Sequence, residues 1–90
     1  MNKGDLVEQI AQAAEISKSA AERSVDALVA AVKTSLRKDE MVTLVGFGTF
    51  YAGKRAARIG RNPRTGAELK ISAARMPKFR AGKALKDAIN

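Results

Sequence analysis

The sequence predicts an α+β domain in which two N-terminal helices precede a three-stranded antiparallel sheet with a protruding β-ribbon arm, and a short helix ends the chain. Two observations carry this prediction. Apolar residues recur at helical spacing through residues 1–38, whereas the segments that follow are β-branched or alternate at period two. Glycine, proline and asparagine then cluster at residues 60–66, between two strands that offer little apolar surface.

The first helix is predicted to begin at Asn2, which is a suitable N-cap residue. Asp5 follows three residues later, in the first turn, where a carboxylate interacts favourably with the helix dipole. Four apolar residues then share one face of the helix: Leu6, Ile10, Ala13 and Ala14.

The second helix can begin at either of two serines. Ser19 fits the capping-box pattern Ser19-Ala20-Ala21-Glu22, and Ser17 is an equally suitable cap. A long apolar stripe follows, formed by Ala21, Val25, Leu28, Val29, Val32 and Leu36. The polar faces of the helices are mixed in sign, which favours a packed antiparallel pair over a lipid-binding or partner-binding surface.

The strands are predicted from composition and turn signals. Met41–Val45 is expected to be a buried strand, after which Gly46 and Gly48 flank Phe47 in a tight connection that glycine permits through positive φ. A second strand is predicted from Thr49 to Ile59, with Phe50 facing inward. Its apolar residues shrink to alanine beyond residue 53, so this part is not expected to join a core.

A turn at residues 62–66 is predicted to lead into a returning strand, Ala67–Ala74, that Met76-Pro77 breaks. Phe79 is expected in the core beside Phe47 and Phe50. A closing helix is predicted over residues 82–89 with three residues inward, Ala84, Leu85 and Ala88.

The positive charge is concentrated in the second half of the chain. Residues 1–40 carry six basic and seven acidic residues, whereas residues 41–90 carry eleven basic residues against only Glu68 and Asp87. The net charge of +8 therefore arises from a segment of +9 preceded by one of −1. A solvated basic surface would intersperse its signs. A basic hairpin with no core of its own instead predicts a polyanionic partner.

Composition narrows the class of function. Cysteine and histidine are both absent, which removes disulfides, thiolate metal sites, the commonest general base and the commonest metal ligand. Asp39 and Glu40 are adjacent but do not converge in the predicted elements, so we expect neither an enzyme nor a metal or cofactor. No apolar run approaches the roughly 20 residues of a membrane span. The N-terminus has no signal-peptide core, which favours the cytosol.

An RNA-binding or ribosomal protein is the main alternative on composition alone. RNA recognition commonly uses aromatic stacking platforms, but the chain has only four aromatic residues, and the three phenylalanines are needed for the core. No helix presents a cluster of asparagine and glutamine for reading base edges in the major groove. The residues therefore favour recognition of the nucleic-acid backbone and shape over recognition of sequence.

Three motifs resemble the bacterial HU family of histone-like DNA-binding proteins, which includes integration host factor. They are Gly46-Phe47-Gly48-Thr49-Phe50, the pair Arg55 and Arg58, and Gly60-Arg61-Asn62-Pro63-Arg64-Thr65-Gly66. The similarity extends over essentially the whole chain. Gly46 before Phe47 and the end of the chain at Asn90 fit HU better than the site-selective integration host factor, which remains the alternative. Arg64, Ala67 and Met76 depart from the commonest HU pattern.

The resemblance implies an obligate intertwined dimer, either a homodimer or a heterodimer with a paralogue. It implies one single domain over 1–90, with a helical dimerisation part at 1–38, a body at 41–52 and 74–90, and a DNA-binding arm at 53–74. The two arms would enclose double-stranded DNA in the minor groove, preferring bent or distorted DNA. Pro63 at each tip would wedge between base pairs, although from the residues alone it reads as an ordinary turn proline.

The resemblance and the charge pattern together give two sets of candidate residues, and they place the protein in the cytoplasm, associated with the nucleoid. The lysines near the start of the closing helix either face a phosphate or are simply tolerated there. The predicted DNA-binding residues are Lys3, Lys54, Arg55, Arg58, Arg61, Asn62, Pro63, Arg64, Lys70, Arg75, Lys78, Arg80, Lys83 and Lys86. The predicted dimer core comprises Phe47, Phe50, Phe79, Leu44, Leu36 and Val32.

Overall fold

The computed structural model describes residues 1–55, 57–71 and 73–90, apart from the side chains of Arg55, Arg58 and Ile71. It confirms the α+β class, with two helices, a three-stranded antiparallel sheet of order β1-β2-β5, a separate two-stranded hairpin β3-β4 and a closing helix. The elements are α1 (Lys3–Ala14), α2 (Lys18–Arg37), β1 (Val42–Leu44), β2 (Gly48–Arg55), β3 (Arg58–Arg61), β4 (Glu68–Ile71), β5 (Ala74–Ala81) and α3 (Lys83–Ile89).

The chain forms two compact units, Met1–Thr34 and Ser35–Asn90. In the first unit Asn2 caps α1 through a complete capping box with Asp5. Ser17 caps α2, because its Oγ accepts a hydrogen bond from the Ala20 N–H at 3.0 Å. The sequence allowed either Ser17 or Ser19 as the N-cap, and the structure shows that Ser17 is the cap.

The core of the first unit is small and differs from the predicted one. It comprises Val7, Ala11, Ala21 and Val25, with Ile10 packed against it. Of the residues predicted for the apolar face of α1, Ile10 packs against this core, whereas within the single chain Leu6 is 39% exposed and both Ala13 and Ala14 are exposed. The alanines Ala11 and Ala21 allow close packing at the centre of this cluster.

Both long helices end in a left-handed residue that is not glycine. Glu15 has φ 56° and Asp39 has φ 60°. After α2, the N–H of Asp39 bonds the Leu36 carbonyl at 3.0 Å and the N–H of Glu40 bonds the Ser35 carbonyl at 2.8 Å. This pair of bonds is the Schellman arrangement, which usually places glycine at the left-handed position.

The three-stranded sheet of the second unit corrects two predictions. The strand predicted at Met41–Val45 is shorter and is not buried within one chain, since Val45 is 99% exposed. Pro77 does not break a strand but lies inside β5, opposite Ala52. Because β5 is an edge strand, it tolerates a residue without an N–H group.

The long strands predicted on either side of the turn are each divided in two. Residues 49–59 form most of β2 and part of β3, and residues 67–74 form β4 and the first residue of β5. The predicted strand positions Ala56 and Ser72 lie outside the described residues. Gly46 has the expected positive φ, 83°, but Gly48 does not. Gly48 is buried and is needed for close approach to Phe79.

The three phenylalanines lie together, as predicted. The ring centroid of Phe79 is 4.8 Å from that of Phe50 and 5.4 Å from that of Phe47. Phe47 and Phe79 nevertheless remain 43% and 42% exposed. In α3 only Leu85 is half-buried, and Ala84 and Ala88 are exposed, so the predicted inward face of this helix was wrong for the alanines.

Candidate nucleic-acid interface

The hairpin β3-β4 carries the tip of the predicted arm. Its register pairs Ile59 with Lys70, Gly60 with Leu69 and Arg61 with Glu68. Side chains alternate between the two faces of a strand. One face of the hairpin therefore carries Ile59, Arg61, Glu68 and Lys70, and Ile59 is 67% exposed. Little apolar surface is covered by the hairpin itself.

Asn62 organises the turn at the tip. Its backbone N–H donates a hydrogen bond to the Ala67 carbonyl, and its backbone carbonyl accepts one from the Gly66 N–H, both at 2.8 Å. Its side-chain Oδ1 also accepts the Arg64 N–H at 2.8 Å, an Asx turn. Gly66 closes the loop with φ 70°. Asn62 thus has a structural role in the turn that adds to its predicted role at the DNA.

Pro63 lies at this tip and is exposed. Arg61 and Arg64 flank it in sequence and are also exposed. Glu68, the acidic residue of the hairpin, is the strand partner of Arg61. The tip therefore presents a rigid apolar ring between two cations, held by a turn whose backbone groups are hydrogen-bonded within the loop.

A basic face continues along the ribbon formed by β2 and β5. Tyr51 pairs with Lys78 and Thr49 pairs with Arg80, so all four side chains share one face. The Arg80 guanidinium lies 5.5 Å from the centroid of the Tyr51 ring, a cation–π distance. Sequence reasoning missed Tyr51 as a partner of this cation, although the period-two alternation from Gly48 to Arg55 places it on the face opposite Phe50.

Arg75 does not lie with these cations. It pairs with Lys54, and both share the face that carries Phe50 and Phe79. Its Nη1 donates hydrogen bonds to the carbonyls of Arg37 at 2.9 Å and Leu36 at 3.4 Å. The sequence predicted Arg75 as a DNA-binding residue, but its guanidinium is bonded at the C-terminal end of α2.

Lys3 belongs to the first compact unit and is paired with acids. Its Nζ lies 2.7 Å from Asp26 Oδ1 and 4.0 Å from Glu22 Oε1. The hydrogen bond to Asp26 is the main reason that the pKa of Lys3 is raised above its usual value, with smaller contributions from the charges of Asp26 and Glu22. Lys3 therefore has two acidic partners within its own unit, in an exposed setting where solvent screens the interaction.

The lysines of α3 differ from each other. Lys83 Nζ lies 3.4 Å from Asp87 Oδ2, an i,i+4 pair on a helix of seven residues. Lys86 is exposed. Gly82 caps the helix without any side-chain hydrogen bond. Lys83 therefore has an acidic partner one turn away, in an exposed ion pair of the kind that contributes little to stability.

The structure thus divides the predicted DNA-binding residues into several groups. Arg61, Asn62, Pro63, Arg64 and Lys70 lie on the hairpin, and Lys78 and Arg80 lie on the basic face of the ribbon. Lys54 and Arg75 lie on the opposite face, Lys3 is in the helical unit, and Lys83 and Lys86 are on α3. The side chains of Arg55 and Arg58 lie outside the described part of the chain.

The predicted dimer-core residues remain partly accessible in the single chain. Leu44 is exposed, and Val32, Leu36 and Phe50 are half-buried. Among the residues described, no three histidine, cysteine, aspartate or glutamate side chains are arranged to hold a metal ion. Within the same residues, no helix is long and apolar enough to cross a membrane.

Comparison with known proteins shows the family to which the chain belongs. The family described as "Bacterial DNA-binding protein" matches residues 1–90, and the chain belongs to that family. Among its relatives is DNA-binding protein HU-beta of Neisseria meningitidis, 63% identical over 89 residues that cover 99% of this chain and 100% of the relative. The HU-beta protein of Escherichia coli K12 is 59% identical over 90 residues, the full length of both.

A solved structure gives the same result at the level of the fold. The chain is similar to the Anabaena HU in an HU–DNA cocrystal structure, with a TM-score of 0.90 and 39% identity over 99% of this chain and 97% of that one. HU from Thermotoga maritima matches with a TM-score of 0.70 and 28% identity over the full length of both. The similarity to the HU family noted from the sequence motifs is therefore confirmed.

Proposed function

We propose that this chain is an architectural protein that binds and bends double-stranded DNA with little sequence preference. The observation that carries this proposal is the solved structure of an HU bound to DNA, which has the fold of this chain at a TM-score of 0.90. The charge of +9 on residues 41–90 supports the same function, because a positively charged surface binds the phosphate backbone whatever its sequence.

The mechanism follows from the two surfaces described above. The basic face with Lys78 and Arg80 would bind phosphates, while the hairpin would extend along the minor groove. Pro63 would enter a base step as an apolar wedge. Unstacking a step costs a few kcal/mol, which additional interactions with the bent DNA offset. Such a protein would be associated with the bacterial nucleoid.

The binding unit would be a homodimer. Among the described residues of one chain, four form the buried hydrophobic core, and Phe47, Phe79, Leu28 and Val29 stay between 42% and 49% exposed. A chain of this size buries only about 60–65% of its unfolded surface. A second copy that covers the phenylalanines and the exposed side of α2 would supply the missing core. It would also bring a second arm to the DNA.

Two measurements test this function. Affinity for a random duplex should fall as salt rises, with a slope of log K against log salt of roughly −0.9 for each phosphate neutralised. In the same gel-shift series, nicked and four-way-junction DNA should bind more tightly than linear duplex, and duplex RNA should compete poorly. Salt-independent affinity, or strong preference for one sequence among random competitors, contradicts the proposal. The second outcome would indicate site-selective bending of the integration-host-factor kind.

A further inference from the structure

Arg75 is one of the cations predicted to contact DNA, yet its guanidinium is bonded to protein backbone. Its Nη1 lies 2.9 Å from the Arg37 carbonyl oxygen and 3.4 Å from that of Leu36. We propose that Arg75 is a positioning residue that caps the C-terminus of α2 and fixes the start of β5, and that it does not contact DNA. The part of this inference that concerns DNA rests on the proposed function.

The hydrogen bonds at the end of α2 leave a place for this donor. The N–H groups of Asp39 and Glu40 bond the carbonyls of Leu36 and Ser35. Neither bond reaches the carbonyl of Arg37. The last carbonyls of a helix lack intrahelical donors and need partners from elsewhere. Arg75 donates to that carbonyl and adds a second donor to Leu36.

Charge at the helix end favours the same role. The C-terminus of a helix carries partial negative charge, which a cation stabilises. Arg37 and Lys38 already place two cations at this end of α2, and the two acids Asp39 and Glu40 follow them. Arg75 is brought to this point from a distant part of the chain, 38 residues after Arg37. Arg75 therefore adds a third cation at the negative end of the helix dipole, in a segment whose own side-chain charges balance.

The position of Arg75 in the sheet also separates it from the basic face. Its strand partner is Lys54, and like charges opposite each other destabilise a sheet. The bonds to Leu36 and Arg37 give the guanidinium partners that offset this repulsion. Lys78 and Arg80, in contrast, lie on the other face of the ribbon, away from Phe50 and Phe79.

The test compares the full-length Arg75→Gln and Arg75→Lys variants with Arg64→Gln, which removes one exposed arginine at the arm tip. Hydrogen exchange is measured at the amides of Lys38, Asp39 and Glu40, which are bonded in the cap. Loss of one hydrogen bond of ordinary strength should speed their exchange about five-fold in Arg75→Gln. Arg75→Lys retains a charged donor and should show a smaller increase, while Arg64→Gln should leave the cap amides unchanged.

The same proteins are titrated with duplex DNA at several salt concentrations. Arg75→Gln should keep the parental salt slope, whereas Arg64→Gln should reduce it by about 0.9 for each phosphate that the variant no longer neutralises. Unchanged exchange at the cap in Arg75→Gln overturns the proposal, and so does a salt slope that falls as in Arg64→Gln. If Arg75→Gln does not fold, Arg75→Met, which keeps an aliphatic stem but removes the charge and the donors, is judged by the same two criteria.

The experiments distinguish failure of the proposed DNA-binding function from failure of the proposed role of Arg75. If the parent protein binds DNA without any salt dependence, the proposed function is wrong, because no phosphates are then neutralised. The exchange measurement on free protein would still decide whether Arg75 caps α2. If the parent shows the expected slope but the cap amides do not respond to Arg75→Gln, only the role of Arg75 is overturned.

Discussion

Gly48 faces the ring of Phe79 so closely that a Cβ atom at residue 48 would lie 2.5 Å from Phe79 Cζ and 2.6 Å from the Arg80 carbonyl oxygen. Real Cβ atoms do not approach other heavy atoms to this distance. Gly46, two residues earlier, has nothing within 4 Å of its would-be Cβ, but its φ is +83°. The two glycines on either side of Phe47 therefore serve different needs.

Substitution at these glycines should separate steric from conformational requirements. We expect Gly48→Ala to destabilise the fold by about 1–3 kcal/mol through overpacking, and Gly48→Asn to be worse. Gly46→Ala should cost about 1–2 kcal/mol through left-handed strain, and Gly46→Asn should cost less because asparagine adopts that conformation more readily. The free energies of unfolding of the four variants are measured by urea denaturation. The explanation is contradicted if asparagine is better than alanine at residue 48.

The fold class was predictable because the local signals are strong. Asn2 and Asp5 form their capping box, and Asn62 to Gly66 form their turn, since both depend on neighbours in sequence. The roles of residues that depend on distant contacts were harder to predict. Pro77 reads as a strand breaker until β5 is known to be an edge strand. Nothing local shows that Arg75 meets the end of α2, 38 residues earlier.

The residues of the candidate site were also predicted best where they depend on neighbours in sequence. The turn at residues 62–66 could be predicted from its asparagine, proline and glycine. Its prediction also indicated that Arg61, Pro63 and Arg64 are exposed. The ion pair between Lys3 and Asp26 requires two helices to be packed together, which periodicity alone does not specify. Val45 is 99% exposed within the single chain, although its apolar character predicted a buried strand position.

Asp39 offers a direct test of the strain at the end of α2. Its φ of 60° costs an ordinary residue roughly 1–2 kcal/mol, which glycine avoids. We expect Asp39→Gly to raise the free energy of unfolding by about 0.5–1 kcal/mol, since the flexibility of glycine in the unfolded chain offsets part of the gain. Glu40→Gly removes the same charge at a residue with no positive φ. Equal stabilisation by both variants would show that charge, and not conformation, is responsible.

The exposed phenylalanines should make stability depend on association. We expect the thermal unfolding midpoint to rise with protein concentration, as mass action requires for a dimer. Phe79→Ala should destabilise the protein by about 3–5 kcal/mol if a second chain completes the burial of the ring. Ile59→Ala, on the exposed hairpin, should change stability by less than about 0.5 kcal/mol. A midpoint that does not move over a wide dilution series would indicate a self-sufficient monomer.

The two prolines of the chain provide a matched pair for testing the wedge. Pro63→Ala keeps every charge at the arm tip but removes the rigid ring, so it should reduce the induced bend and the preference for nicked DNA. Affinity for plain duplex at low salt should change little, because electrostatic binding to phosphates dominates it. Pro77→Ala, within β5, should leave bending unchanged. Bending is measured by energy transfer between dyes at the duplex ends. A Pro63→Ala variant that bends DNA like the parent would show that Pro63 is only a turn residue.

Limited digestion with trypsin should locate the DNA-facing surface. The ribbon and hairpin carry exposed cleavage sites at Lys54, Arg61, Arg64 and Lys70, on a hairpin that buries little apolar surface. Arg23 and Lys33 are also exposed, but they lie within the 20-residue helix α2, whose backbone bonds resist the protease. We therefore expect the first cuts between residues 54 and 70, and a fragment in which both long helices are intact.

Duplex DNA should slow those first cuts, because the basic side chains and the backbone beside them would be covered in the groove. A polyanion without a groove, such as heparin, is the control for charge alone. If the hairpin lies along the minor groove, DNA should protect Arg61 and Arg64 more than heparin does at equal saturation. Early cleavage at Arg23 or Lys33, or cuts in the hairpin that proceed at the same rate with DNA, would place the binding surface on another part of the protein.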